Sequence, residues 1–221
     1  MVGNIINNTG ISPVGSNRNQ QGQQVYSIEQ YFELENKATF KSEFVDGKII
    51  PMSGGTISHN RIEGMIFLYL ALFALDKAYE VLNSNQKIFI PDFNQNVYAD
   101  TCVVIGEPKM YNNGNQAILN PAIIFEVASK STEKYDRSKK FMLYKTIPSF
   151  KEYVLVNQYM PIVEVFFKIN ENEWRSKSYL GLEEIVQLET IDIALKMADI
   201  YKNVNDLEDP QAYIEFPEKQ D

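Results

Sequence analysis

NPAIIFEVASKSTEKYDRSKKFMLY, residues Asn120 to Tyr144, is the stretch on which the reading of this chain turns. Ala122 to Val127 is an apolar run interrupted only near its end by Glu126. A short apolar run bounded by Pro121 and by a Ser/Lys/Thr cluster is the pattern of a buried strand. Glu126 is therefore a carboxylate that is buried or faces a cleft, which is costly unless the group is paired, hydrogen-bonded or bound to a metal. All three readings stay open on this stretch alone. Ser131 or Thr132, with Glu133 in the following turn, then starts a helix, and Tyr135, Phe141, Met142 and Ile147 give it an apolar stripe up to Pro148. Residues 129–145 carry six basic side chains against two acidic ones, in a chain whose net charge is −8. Basic charge thus sits directly beside Glu126.

At 221 residues with 44% hydrophobic and 23% charged side chains, the chain has ordinary globular composition and enough length for one domain with a substantial core. No apolar run approaches the roughly 20 residues of a membrane span. Met1 to Gln24 lacks the basic start and apolar core of a secretion signal, so a cytoplasmic protein is expected. Cys102 is the only cysteine, which excludes an internal disulfide and any multi-cysteine zinc site, and its apolar neighbours favour a packed thiol. The acidic balance argues against non-specific coating of nucleic acid, which rests on many Lys/Arg contacts to phosphate. Part of that balance lies in residues 203–221, with six acidic groups and one basic.

Residues 1–24 are mostly Asn, Gln, Gly and Ser and read as a disordered arm, residues 25–202 as the folded domain and residues 203–221 as an acidic tail. Ser27 with Gln30 is a capping box opening a short helix to about Asn36. In SEFVDGKIIPM, Asp46-Gly47 joins two apolar runs as a type I′ hairpin. Glu43 lies on its first strand, facing solvent or a shared cleft, with solvent favoured. A long helix from Ser58 to about Ala78 carries Ile62, Met65, Ile66, Tyr69, Leu70 and Phe73 toward the core. His59, the only histidine, has no partners for a histidine-based metal site and reads as a capping or local hydrogen-bonding residue. Tyr79 to Ile90 and Asn96 to Ile105 read as two strands, the second holding Asp100 on the face of Cys102 and Val104. Glu152 to Asn157, Ile162 to Ile169 and Trp174 to Tyr179 read as three more strands, followed by a strand and short helix over Val186 to Tyr201.

No glycine-rich phosphate loop, nucleophile elbow or His-based zinc motif occurs. What remains is Glu43, Asp100 and Glu126, each at or near a strand, then Lys130 or Lys140. Converging carboxylates are the oxygen ligands that Mg²⁺ or Mn²⁺ prefers, and a nearby lysine could position or activate a water beside a phosphodiester.

The order EFVDG, SHNRI, YADTCVV, NPAIIFEVASKST, YDRSKKFMLY and IPSFKEYVLVNQ resembles the putative restriction endonuclease family, long catalogued as a domain of unknown function, within the PD-(D/E)xK nuclease superfamily. The resemblance covers about residues 26–202. It implies an α/β fold, a restriction-endonuclease-like mixed β-sheet flanked by helices, with the long helix on one face and the basic helix on the other. It also implies that Asp100 and Glu126 bind Mg²⁺ or Mn²⁺, that Glu43 completes the metal site, and that Gln158 is an accessory polar residue. Ala99 stands where the family usually has proline. Ala128 stands where the superfamily has lysine, a role that the resemblance moves to Lys140, with Lys130 as local competitor. The activity implied is metal-dependent hydrolysis of nucleic acid, DNA foremost. The rivals are a catalytically degenerate nuclease-fold binding module and a structural domain with a buried Glu126–Lys140 pair. A homodimer is expected, with the apolar strand Ile162 to Ile169 as its candidate interface.

Overall fold

A six-residue apolar strand with one acid needs a sheet on both flanks, and the computed structural model provides one. It describes residues 17–18, 24–113 and 117–211. The expected arm 1–24 lies outside these except for residues 17, 18 and 24, and the expected tail 203–221 lies outside them from residue 212. The described residues form two compact units, one up to Met52 and one from Ser53.

In the first unit, β1 (Asn17–Arg18) pairs with β2 (Gln24–Val25). Helix α1 (Ile28–Glu35) starts at the full capping box, with the Gln30 amide donating to Ser27 Oγ and the Ser27 amide to Gln30 Oε1. β3 (Ser42–Val45) and β4 (Lys48–Pro51) form the hairpin, and Asp46 and Gly47 both have positive φ (53° and 73°), as a type I′ turn requires. A Cβ on Gly47 would lie 2.5 Å from Val25 Cγ1, so the close approach also demands glycine. The Tyr31 ring stacks on Phe44, and its hydroxyl donates to the Ser42 carbonyl at 2.7 Å. Every residue of β3 is buried, Glu43 included. The solvent-facing reading of Glu43 is therefore wrong: alternation predicts one exposed face only for a strand with one wet side.

The second unit begins with α2 (Ile57–Ala74), capped by Thr56, whose Oγ1 accepts the His59 amide. The strands that follow are β5 (Tyr79–Asn83), β6 (Lys87–Ile90), β7 (Gln95–Tyr98), β8 (Thr101–Ile105), β9 (Ala117–Ile118) and β10 (Ile123–Ala128). After the helical segment 133–144, here α3, come β11 (Glu152–Asn157), β12 (Ile162–Asn170), β13 (Glu173–Leu180), β14 (Ile185–Leu188) and β15 (Ile193–Lys196), then the short helix Met197–Ile200. The central sheet has the order β13-β12-β11-β10-β8-β5. It is mixed: β10 and β11 are parallel, joined through α3, and the other pairs are antiparallel. The expected α/β architecture is the one observed.

Alternation along β10 sorts its side chains. Ile123, Phe125 and Val127 join Val154, Val156, Val163 and Val165 in the core with Ile62, Ile66 and Leu70 of α2. On the other side Phe141 of α3 stacks on Tyr153, with Phe150, Phe166 and Trp174 around it. Each such fully buried side chain contributes about 1.5–3 kcal/mol.

Four expectations are corrected. Helix α2 stops at Ala74, and Phe73 is exposed. The long run Tyr79 to Ile90 breaks between β5 and β6, and the next breaks between β7 and β8 at Ala99-Asp100, because β5 and β8 pair in the central sheet while β6 and β7 pair elsewhere. Segment α3 is not a regular helix: Asp136–Lys140 is wound as a π turn, which shifts the phase so that Leu143 is buried and Met142 faces out. Strand β12 lies between β11 and β13, so it is not an edge strand; Ile162, Val163 and Val165 are buried, Phe166 and Phe167 half-buried and Ile169 exposed. Among the described residues no helix is long and apolar enough to cross a membrane.

Candidate active site

Glu126 points to the α3 side of β10 and is buried. Its Oε1 meets Lys140 Nζ at 2.8 Å and the Tyr144 hydroxyl, which donates at 3.0 Å. Lys140 and Tyr144 are four residues apart across the end of the π turn, which brings both onto one carboxylate. Asp136, also buried, lies 3.8 Å from Lys140 Nζ, and its backbone carbonyl accepts the Tyr153 hydroxyl. Burial pushes the Glu126 carboxyl well above the ordinary range, and the charges of Asp136 and Asp100 push the same way against Lys140. Lys130 and Arg137 are engaged elsewhere: Lys130 Nζ sits 4.9 Å over the Tyr159 ring, and Arg137 pairs with Glu133 and Glu164.

Asp100 stands at the break between β7 and β8. Extending the β8–β10 register, in which Thr101 faces Phe125, puts Asp100 opposite Glu126. Having left the ladder, Asp100 uses its side chain in place of a strand carbonyl: Oδ2 accepts the Val127 amide at 2.7 Å. The same oxygen lies 3.3 Å from His59 Nε2, and His59 Nδ1 lies 3.9 Å from Glu63 Oε2. Burial opposes ionisation of Asp100, but His59, Lys140 and the Val127 amide outweigh it and hold the carboxyl below its ordinary value. Burial likewise opposes charge on His59, and Asp100 and Glu63 overcome it, raising that pKa. Thr56, the α2 cap, donates to Gln158 Oε1 at 2.8 Å, so Gln158 at the end of β11 is tied to the start of the helix carrying His59.

Asp100, Glu126, Lys140 and Gln158 are thus all in the second unit, while Glu43 is buried on β3 of the first. Cys102 is packed inside, its thiol pushed up to about 12 by burial and by the Glu126 charge, so it carries no nucleophilic role. Sequence reasoning missed His59 and Glu63 as site residues. The signal was there: they are spaced i,i+4, on one helix face, one turn after a cap. The lone histidine was discounted for lacking histidine partners, whereas its neighbours are acids. One ligand atom from each of His59, Glu63 and Asp100 lies within 4.8 Å of the others, a donor set that suits a divalent ion. His59 Nδ1 is also a buried nitrogen without a hydrogen-bond partner among the described residues.

Comparison with known proteins gives a family and a fold. An uncharacterized protein of Synechocystis sp., sll1609, is 34% identical over 71% of this chain and 89% of its own length. A second from the same organism, slr1290, is 29% identical over 80% of this chain and 92% of its own. The crystal structure of a putative nuclease belonging to DUF820 from Anabaena variabilis superposes with a TM-score of 0.64 over 79% of this chain and 97% of that one, at 14% identity, a likeness of fold. The Uma2 profile, described as "Putative restriction endonuclease", matches residues 28–198, and the chain belongs to that family.

Proposed function

We propose that the chain is a divalent-metal-dependent endonuclease hydrolysing the phosphodiester bonds of DNA. The observation that carries this reading is the meeting of Asp100, Glu126 and Lys140 at one end of β8 and β10, with two acids in register and a buried ammonium 2.8 Å from one of them. Asp100 and Glu126 are the residues that would hold Mg²⁺ or Mn²⁺. Bound there, the cation would polarise a phosphoryl oxygen and lower the pKa of a water. Lys140 supplies positive charge beside the acids, where negative charge develops in the transition state. Tyr144 fixes the Glu126 carboxylate through its hydroxyl. Exposed Lys130, Lys134 and Lys139 offer phosphate contacts on the same stretch, which position a backbone without reading sequence.

The completeness of the Glu126–Lys140 pair favours a second reading, a fold that binds nucleic acid or protein without cutting, since the pair neutralises Glu126 with no cation. Calorimetric titration with Mn²⁺ and cleavage of a supercoiled plasmid separate the two. Uptake that is lost in Asp100→Asn and Glu126→Gln, with plasmid nicking lost as well, supports the nuclease. Absence of metal uptake by the wild type sinks it.

A homodimer goes with this reading, because cutting both strands of a duplex uses two sites related by a two-fold axis. With β12 paired on both edges, a candidate interface among the exposed apolar side chains is the outer face of α2, where Ile57, Leu68, Leu72 and Leu75 are exposed. Two copies of that face, antiparallel about an axis between Leu68 and Leu72, set the open notch at Gly64 against Leu75 of the partner. Light scattering should give twice the 25.4 kDa chain mass, and Leu68→Lys with Leu72→Lys should give the monomer with unchanged circular dichroism. A wild-type monomer refutes the dimer.

A further inference from the structure

We infer a second cation position on the α2 side of Asp100, with His59 Nε2 as its nitrogen ligand and Glu63 as the carboxylate that orients the imidazole; the inference rests on the nuclease reading. Three features converge on it. First, Asp100 is shared between two groups of residues: its Oδ2 meets the Val127 amide and His59 Nε2, while the register sets it across from Glu126, whose pKa its charge raises. A carboxylate that serves two donor sets is the bridging group of a paired-metal site, in which the ions stand about 3.5–4 Å apart.

Second, the spacing fits. His59 Nε2 and Asp100 Oδ2 are 3.3 Å apart. Donors about 2.1 Å from an octahedral ion stand roughly 3 Å apart when adjacent, so these two atoms can share one ion without rearrangement of helix or strand. Third, His59 Nδ1 is buried without a well-formed hydrogen bond: Glu63 Oε2 lies at 3.9 Å, and the neighbouring Asn60 side chain acts on the ring only weakly. An unpartnered buried nitrogen is costly. A metal-ligating histidine ordinarily gives its other N–H to a carboxylate, and such an outer partner tunes affinity by about 10–100-fold. Glu63, one turn further along α2, is placed to be that partner. The site is built by the Thr56 cap, which starts the helix so that its first turn delivers His59 and its second Glu63.

A nitrogen ligand changes the metal that the site takes. Mg²⁺ keeps to oxygen and water, whereas first-row divalent ions accept imidazole; Mn²⁺, the weakest-binding of them, is the one that also shares the carboxylate preference of Mg²⁺. The position beside Glu126 takes either ion. The position beside His59 takes Mn²⁺.

The test uses the full chain with Mn²⁺ and Mg²⁺ alone. Calorimetry should count two Mn²⁺ but one Mg²⁺ per chain, and electron spin echo modulation of bound Mn²⁺ should carry a ¹⁴N coupling. His59→Gln should remove the coupling and one Mn²⁺ while leaving Mg²⁺ uptake unchanged. Glu63→Gln should retain the coupling and weaken that Mn²⁺ by about 10–100-fold, with unchanged circular dichroism. Wild-type protein that binds Mn²⁺ with no ¹⁴N coupling, or a His59→Gln variant with the wild-type stoichiometry, overturns the inference and leaves the nuclease reading standing. Wild-type protein that binds neither ion overturns both.

Discussion

Glu126 and Glu152 sit on neighbouring parallel strands, both buried and both pushed above the ordinary carboxylate range, and they do different work. Glu152, at the start of β11, is met by backbone: its two oxygens accept the amides of Glu189 (3.0 Å) and Thr190 (3.1 Å), pinning the turn between β14 and β15. Glu126, near the end of β10, is met by an ammonium and a phenol from α3, with Asp100 and Asp136 close enough to raise its pKa. The backbone amides around Glu152 cannot be exchanged without unfolding a turn. The partners of Glu126 are side chains, which can be exchanged for another ligand without unfolding the backbone. Burial and a shifted pKa therefore do not separate a structural acid from a functional one. The chemistry of the partners does.

The largest expected effect tests that distinction directly. Glu126→Gln should lower Mn²⁺ affinity by more than the roughly 100-fold that loss of an outer partner costs, because a direct ligand is removed. Glu152→Gln should leave Mn²⁺ uptake unchanged and instead destabilise the fold by about 1–3 kcal/mol, since one buried amide loses its acceptor. Calorimetry and urea denaturation of both variants give the two-by-two comparison, and equal metal loss in both would erase it. Next in size is Lys140→Met, which keeps the methylenes and removes the charge. Cleavage should fall about 10²–10³-fold if Lys140 stabilises developing charge. Plasmid nicking at wild-type rate would return the role to Lys130 or to none. Tyr144→Phe removes only a hydrogen bond to Glu126, so about 10-fold in metal affinity is expected, within the range for outer partners.

The comparison also marks where the sequence was legible. The strand around Glu126, the capping box at Ser27 and the Asp46-Gly47 hairpin are local: period, cap and turn chemistry fix each within a few residues, and the structure matches them. The strand break at Ala99-Asp100 left no local trace, because the apolar alternation runs straight through the point where the chain changes partners. That break gives Asp100 the Val127 amide. The π turn at Asp136–Lys140 was equally silent, since five polar residues suit any helical winding, yet it sends Arg137 to Glu164 and leaves Lys140 on Glu126. Glu152 was read only as the first residue of a strand, since its partners at 189 and 190 are remote in sequence. His59 has no histidine partners in the sequence; its neighbours in the fold are the acids Glu63 on its own helix and Asp100 at the strand break.

The smallest expected effect is in the pH dependence of stability, and it sharpens the comparison from the structural side. Burial, the dominant cause, holds the Glu152 carboxyl above its ordinary 4.5 although two amides favour its charge. The folded chain then binds this proton more tightly than the unfolded chain does. Stability from this group is fully present below pH 4.5 and is lost as pH rises through the raised folded value, with a slope of at most about 1.4 kcal/mol per pH unit. Glu152→Gln removes the titration, so its stability should decline less steeply than wild type just above pH 4.5 and run parallel to it at higher pH. Glu126→Gln should flatten the curve over a wider span, because the Glu126 shift is the larger. Saturating Mn²⁺ should abolish the difference between wild type and Glu126→Gln in slope, since a bound cation keeps the wild-type carboxylate ionised, while leaving the Glu152→Gln difference untouched. Urea midpoints measured without and with Mn²⁺ in metal-free buffers decide it. A Glu152→Gln curve that responds to Mn²⁺ as Glu126→Gln does would mean that the two carboxylates belong to one site after all.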